Sequence, residues 1–393
     1  MNLKKMLMAL LMTILVLYLA GCSSAETPKP EADADAPKEP IIIGAVLPLS
    51  GGTAFDGESA KSGAEAAVKF INDNGGVLGG HPLKLIVEDT ATDPAQAASA
   101  AEKLVSRDKV IALIGAFNSS STGAVMPIAK KYEIPLISAI STSPKLTEEG
   151  NTWFFRAVGT SQYFVKAFAE TVCEKLDVKN IAYIYENGDW GRNSVSEFSK
   201  TVTALGGKNL TEQVVNASDA DLYTQLTAIK NSNPDAIYAV SNLANAVRIA
   251  QQARELGIDV PIIGEGAWSS GDFFKNAGQA AEGIYGIVEY LPEIDTPMNK
   301  SFVPAYQELY QKVPDKYAAC DYNAVMLLAD AINRAGEPTP AKIREALAAS
   351  NFEGLTGPIK FNEKGQAYGF EMYLSHNENG TAKLAGSALV SID

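Results

Sequence analysis

From Ile41 onward, short runs of consecutive apolar residues alternate with segments whose apolar residues recur every three or four positions. A strand covered on both faces reads as a continuous apolar run. A helix packed on a sheet shows the longer period. The runs at 41–47, 83–87, 110–114 and 135–138 read as strands. Segments 57–72, 94–107 and 122–132 between them read as helices. The pattern then restarts, with helices expected at 161–176, 193–205, 222–229 and 244–256 and strands at 181–185, 210–215, 236–240 and 261–264. Two successive blocks of this kind imply two Rossmann-like lobes, each with a parallel-type sheet covered by helices. After Gly283 come a strand at 284–290, helices at 301–311, 318–335 and 340–349, and apolar stretches at 357–361, 371–374 and 387–392. A tail of this length must complete one or both lobes.

The inventory of reactive residues narrows the chemistry. The chain has 393 residues, 46% of them apolar, and a net charge of −13. That is enough apolar material for two or three domains. No basic cluster is present to hold nucleic acid. His81 and His376 are the only histidines, which argues against a Ser-His-Asp hydrolase and a histidine metal site. No phosphate loop, dinucleotide fingerprint or serine elbow follows a strand. No metal or cofactor is therefore expected, and no enzyme activity. Cys173 and Cys320 lack metal spacing and are expected to be buried free thiols.

The first forty residues read as address and tether. Lys4 and Lys5 precede an apolar run of fifteen residues from Met6 to Ala20. A spanning helix needs about 20, so the run fits a secretory signal at 1–21. It ends Leu19-Ala20-Gly21-Cys22, which resembles a bacterial lipobox with Cys22 as the acylated residue. Lipid chains there would hold the protein at a membrane surface, outside the cytoplasm. Residues 23–40 hold four prolines and five acids and read as a semi-extended linker.

In open parallel sheets, ligands bind beyond the carboxyl ends of the strands. Three loops of the first block follow strands: Ser50 to Gly57, which includes Phe55 and Asp56; Asn118-Ser119-Ser120-Ser121-Thr122; and Ile140-Ser141-Thr142-Ser143-Pro144. Serine hydroxyls with the free N–H groups of a helix start make an anion site, although one serine alone would be only a cap. In the second block, Trp190 follows a strand and either covers a ligand or packs on its own domain. Glu265 follows another, and is either an ammonium partner or a solvated surface residue.

Together these residues resemble the leucine/isoleucine/valine-binding group of ABC-importer substrate-binding proteins, a type I periplasmic binding fold. The resemblance runs over 41–393. It rests on the order of several short pieces: IGAVLPLSG from Ile43, AAVKFINDNGGV from Ala66, Glu88-Asp89 with Asp93-Pro94, Ser119 to Thr122, TSPKLT from Thr142, Phe155-Arg156, Asp189-Trp190-Gly191, ARELG from Ala253 and GLTGPIKFNEKG from Gly354. It implies two lobes joined by three crossings, with a ligand cleft between them. The expected lobes are 41–157 with 290–367 and 158–289 with 368–393. It implies that Ser119, Thr142 and the backbone near Ile140 and Ser141 hold a ligand carboxylate, with Ser120 also at the ligand, that Trp190 closes over the ligand and that Glu265 receives its ammonium. Aromatics of the leucine-binding members fall on Asp56, beside Phe55, and on Asn242, so the side-chain pocket is more polar here. The expected partners are a small, branched-chain-like amino acid or related carboxylate, an ABC permease with its cytoplasmic ATPase, and a membrane through the lipid anchor. A monomer at the cell surface or in the periplasm is expected. A sensory binding protein and, last, a surface hydrolase are the alternatives.

Overall fold

The structure, a computed structural model, describes residues 38–390. The expected signal segment, Cys22 and nearly all of the expected tether lie outside the described residues. The first lobe opens with β1 (Ile41–Leu47), α1 (Ala54–Asp73), β2 (Leu83–Asp89), α2 (Pro94–Ser106), β3 (Leu113–Gly115), α3 (Ser119–Tyr132), β4 (Leu136–Ser138), α4 (Lys145–Glu148) and β5 (Phe154–Arg156). The second holds α5 (Ser161–Leu176), β6 (Asn180–Glu186), α6 (Asp189–Ala204), β7 (Lys208–Val215), α7 (Tyr223–Asn231), β8 (Ala236–Ser241), α8 (Leu243–Glu255), β9 (Ile262–Gly266), α9 (Gly271–Ala277) and β10 (Tyr285–Val288). The tail adds α10 (Pro297–Tyr310), α11 (Lys316–Ala335), α12 (Pro340–Ala348), β11 (Phe352–Gly354), β12 (Gly357–Phe361), β13 (Ala367–Tyr368), β14 (Glu371–Glu378) and β15 (Thr381–Leu389).

The first sheet is parallel throughout, in the order β2-β1-β3-β4-β5. The second has the order β15-β14-β10-β9-β8-β6-β7, with β14 and β15 antiparallel and the rest parallel. A small antiparallel sheet, β11-β12-β13, belongs to the tail. Helix α11 lies along α1, and α10 and α12 pack beside them, so the tail completes the first lobe while β14 and β15 complete the second. The α1–α11 approach is tight. A Cβ on Gly63 would sit 1.9 Å from the Ala318 carbonyl oxygen, so only glycine fits there.

Local chemistry explains where the helices begin. Asp93 caps α2, accepting from Gln96 N at 2.8 Å, with Pro94 in the first turn. Asp315 caps α11 through Ala318 N at 2.9 Å and also accepts from Ser59 Oγ of α1 at 2.6 Å. Two starts fall earlier than the apolar spacing predicts. α3 begins at Ser119 and α6 at Asp189, so Ser119–Ser121 and Trp190 lie in first helical turns rather than in loops. Strand β9 runs on to Gly266 and contains Glu265, which is 1% exposed and not a solvated surface residue. Strand β5 and helix α9, neither expected from the spacing, are also present. Cys173 is buried, Cys320 only half-buried, and both are free.

The chain passes between lobes after β5, after β10 and after β13. Arg156 guards two of these passages and is fully buried. It donates to Gln366 Oε1 at 2.6 Å, to Thr147 Oγ1 at 2.6 Å and to the Ser143 carbonyl. Gln366 in turn donates to the Val158 carbonyl at 2.9 Å. Burial pulls the Arg156 guanidinium down to about 9.

Candidate functional site

A cavity of about 280 Å³ lies between the two lobes, beyond the carboxyl ends of β3, β4 and β6. One wall is the start of α3 and the loop after β4, with Asn118, Ser119, Ser120, Ser121, Ile140, Ser141 and Thr142. Asn118 sits at the N-cap of α3 but makes no capping hydrogen bond. Among the described residues, the Asn118 Oδ1, Ser121 Oγ and Thr142 Oγ1 atoms are buried without a hydrogen-bond partner. Buried polar atoms are nearly always paired, so three orphans on one wall mark a place for a ligand. They surround the uncapped N–H groups of a 14-residue helix, whose dipole favours negative charge.

The serines of this wall divide the work. Ser119 Oγ accepts from Ser143 N at 3.3 Å. Ser141 Oγ donates to the Phe117 carbonyl at 2.8 Å and lies 2.6 Å from Thr122 Oγ1, so it braces the two loops against each other. Ser120 Oγ accepts from Asp189 N at 3.3 Å, across the cleft.

The facing wall comes from the second lobe. Trp190 is half-buried and lines the cavity. Its Nε1 donates to Glu265 Oε1 at 2.5 Å. Ser194 Oγ donates to the same oxygen at 3.0 Å, and Tyr238 OH to Oε2 at 2.6 Å. Glu265 thus sits beneath the indole and is not part of the cavity lining. Burial raises its carboxyl to about 7, against the lowering effect of Tyr238 and Trp190.

The remaining wall is charged. Glu186, at the end of β6, accepts from Asn242 N at 2.9 Å, Asn242 Nδ2 at 2.9 Å and Asn245 Nδ2 at 3.2 Å. Asp56 accepts from Leu243 N at 3.2 Å, so two carboxylates hold the start of α8. Burial raises both carboxyls above their ordinary values. Lys316, at the start of α11, donates to Glu289 Oε2 at 2.6 Å. Burial pulls this ammonium down, but Glu289 more than offsets it. Tyr317 packs on Phe117, ring centres 5.1 Å apart, and donates to Asn242 Oδ1 at 3.2 Å.

The lobes are closed on each other. Asp56 to Leu243, Ser120 to Asp189, Tyr317 to Asn242, and Asn193 Nδ2 to Ser143 Oγ at 2.9 Å all cross the cleft. A Cβ on Gly52 would meet that of Ala217 at 2.4 Å.

Of the residues singled out from sequence, the structure gathers Ser119, Ser120, Ile140, Ser141, Thr142, Trp190 and Asn242 around the cavity. Asp56 is buried at the lobe contact outside the lining, and Phe55 is 75% exposed. Sequence reasoning missed Glu186, Glu289, Lys316 and Tyr317. Glu186 and Glu289 carried a usable signal, since each ends or follows a strand of the second block.

Comparison with known proteins agrees with this architecture. Residues 40–381 match the family model described as periplasmic binding protein. The leucine-, isoleucine-, valine-, threonine- and alanine-binding protein of Pseudomonas aeruginosa is 30% identical over 331 residues, 84% of this chain and 88% of its own. The Leu/Ile/Val-binding protein of Escherichia coli K12 is 28% identical, covering 88% of this chain and 93% of its own. Among solved structures, a leucine-binding protein from Thermotoga maritima superposes with a TM-score of 0.81 at 29% identity, covering 88% of this chain and 98% of its own. The LivJ branched-chain amino-acid substrate-binding protein of Streptococcus pneumoniae, in complex with isoleucine, gives 0.81 at 29% identity, covering 89% and 99%. With its two α/β lobes, three passages and interlobe cavity, the chain belongs to the periplasmic binding protein family.

Proposed function

We propose that the protein is an extracytoplasmic solute-binding component of an ABC importer that captures a small amino acid or a related carboxylate. The observation that carries this reading is the α3 wall, where uncapped helix N–H groups meet the orphaned Asn118, Ser121 and Thr142 atoms. These groups suit an α-carboxylate. The relatives named for leucine, isoleucine, valine and threonine binding support an amino-acid ligand. Trp190 from the facing lobe would cover the bound solute, and Ser119, Ser120 and Thr142 would hold its carboxylate.

In this reading the open lobes admit solute, close over it, and the closed form docks on a permease driven by a cytoplasmic ATPase. The lobes comprise 41–157 with 290–367 and 158–289 with 368–393. Cys22 carries the lipid that keeps the protein at the membrane, and it acts as a monomer. Capture at a dissociation constant of ~1 μM needs about −8 kcal/mol after closure costs, within reach of a charge-assisted carboxylate grip and one covering aromatic.

Glu265 receives the ammonium once the Trp190 indole that covers it turns away from Oε1, with Ser194 still on that oxygen and Tyr238 on Oε2.

The test is a thermal-shift screen against the twenty amino acids and a panel of small carboxylates. A ligand that binds the native state raises the melting temperature by mass action. Stabilisation by an amino acid supports the reading. Stabilisation only by carboxylates without an amine keeps the binding protein and retires the ammonium role of Glu265. Stabilisation by none, with no co-purified solute released on denaturation, overturns it.

A further inference from the structure

The charged wall of the cavity has a consequence for what fits there. Lys316 and Glu289 both line the cavity, with side chains only 6% and 8% exposed. Among the described residues, the Lys316 ammonium has one hydrogen-bond acceptor, Glu289 Oε2. An ammonium carries three N–H donors, so two lack an acceptor, although the nitrogen also lies 5.0 Å from the centre of the Tyr317 ring. Glu289 has one oxygen engaged by a hydrogen bond and one that is not. The neighbouring polar groups bond one another and not this pair: Asn242 donates from Nδ2 to Glu186 and accepts at Oδ1 from Tyr317, and Glu186 accepts from Asn242 and Asn245. Lys316 and Glu289 line the same cavity as Ser119, Ser121 and Thr142 of the α3 wall, so the ion pair shares the site with the proposed carboxylate grip.

Resting on the amino-acid reading above, we propose that this pair is a side-chain subsite, and that it selects an amino acid whose side chain ends in a neutral group able both to accept and to donate a hydrogen bond: a hydroxyl or a carboxamide. An apolar side chain would remove water from two N–H groups and a carboxylate oxygen and return nothing. A second carboxylate would add negative charge beside Glu289 and Glu186. An ammonium would press against Lys316. A hydroxyl or amide accepts from Lys316 and donates to Glu289 while leaving the pair's charge balance intact.

Isothermal titration of the solute-free protein with all twenty amino acids tests this. The expected result is that at least one of serine, threonine, asparagine and glutamine binds tenfold or more tightly than leucine, isoleucine and valine. A Lys316→Met, Glu289→Leu double variant removes both charges together. It should lower the polar-to-apolar affinity ratio at least tenfold. Tighter binding of a branched-chain or charged amino acid by the unaltered protein overturns the subsite while the amino-acid reading stands. So does an unchanged ratio in a folded double variant. If the double variant does not fold, the preference of the unaltered protein decides. Failure of all twenty to bind overturns the amino-acid reading itself, and the subsite with it.

Discussion

Thr142 and Asp321 show how differently two unpartnered polar side chains behave. Thr142 Oγ1 lacks a protein partner in the cleft. Replacing it by the isosteric valine removes a hydroxyl that bonds nothing in the protein, so Thr142→Val should leave the melting temperature within about 2 °C and weaken ligand binding by about tenfold, measured by calorimetry. Asp321 lies within α11, 1% exposed, and among the described residues neither carboxylate oxygen has a hydrogen-bond partner. Burial raises its carboxyl from 3.8 to about 7. Between those values the native state keeps a proton that the unfolded chain releases. The penalty therefore grows as pH rises from about 4 to about 7 and is complete above that range. Asp321→Asn should stabilise the protein at pH 8 by about 2 to 4 kcal/mol and have little effect at pH 4, as read by denaturant unfolding at the two pH values.

At the scale of elements, the tail helices hold the first lobe together through close fits. Helix α11 touches α1 where Gly63 meets the Ala318 carbonyl. Gly63→Val must push the helices apart, at a cost of about 3 kcal/mol, and the loss should appear as a lower denaturation midpoint with an unchanged slope. Arg156 is the corresponding fixed point between elements far apart in sequence, linking β5, the Ser143–Thr147 segment and Gln366. Arg156→Met strands several buried acceptors and is expected to destabilise by about 3 kcal/mol in the same unfolding measurement.

At the scale of the whole molecule, the proposed function depends on two lobes that meet in one particular closed arrangement. Gly52 lies at the rim of that contact, with Ala217 opposite. A Gly52→Val side chain would act as a wedge between the lobes. The expected outcome is a larger radius of gyration by solution scattering in the presence of ligand and at least a 100-fold loss of affinity. The melting temperature without ligand should be retained, because neither core is touched. An unaltered radius and affinity would mean that the lobes close without that contact.

What the sequence determined by itself was the repeating order of strands and helices, and with it the two α/β lobes and the serine-rich segments that follow strand ends. Those signals are local. An apolar run is a buried strand wherever the fold places it, and a hydroxyl cluster after a strand lies at the binding edge of any parallel sheet. Ser119, Thr142 and Trp190 were legible for this reason. Lys316 and Tyr317 were not, and Glu289 showed only its place at a strand end. They reach the cavity only because α11 packs back along α1, and because Glu289 lies on a passage between lobes, pairings set by contacts across hundreds of residues. Glu265 makes the same point in reverse. Its place after an apolar run suggested a group facing the cleft, yet Trp190, Ser194 and Tyr238 converge on its carboxylate from their own lobe and cover it. Hydrophobic periodicity is read along the chain, whereas the satisfaction of a buried charge is settled by neighbours brought together in space.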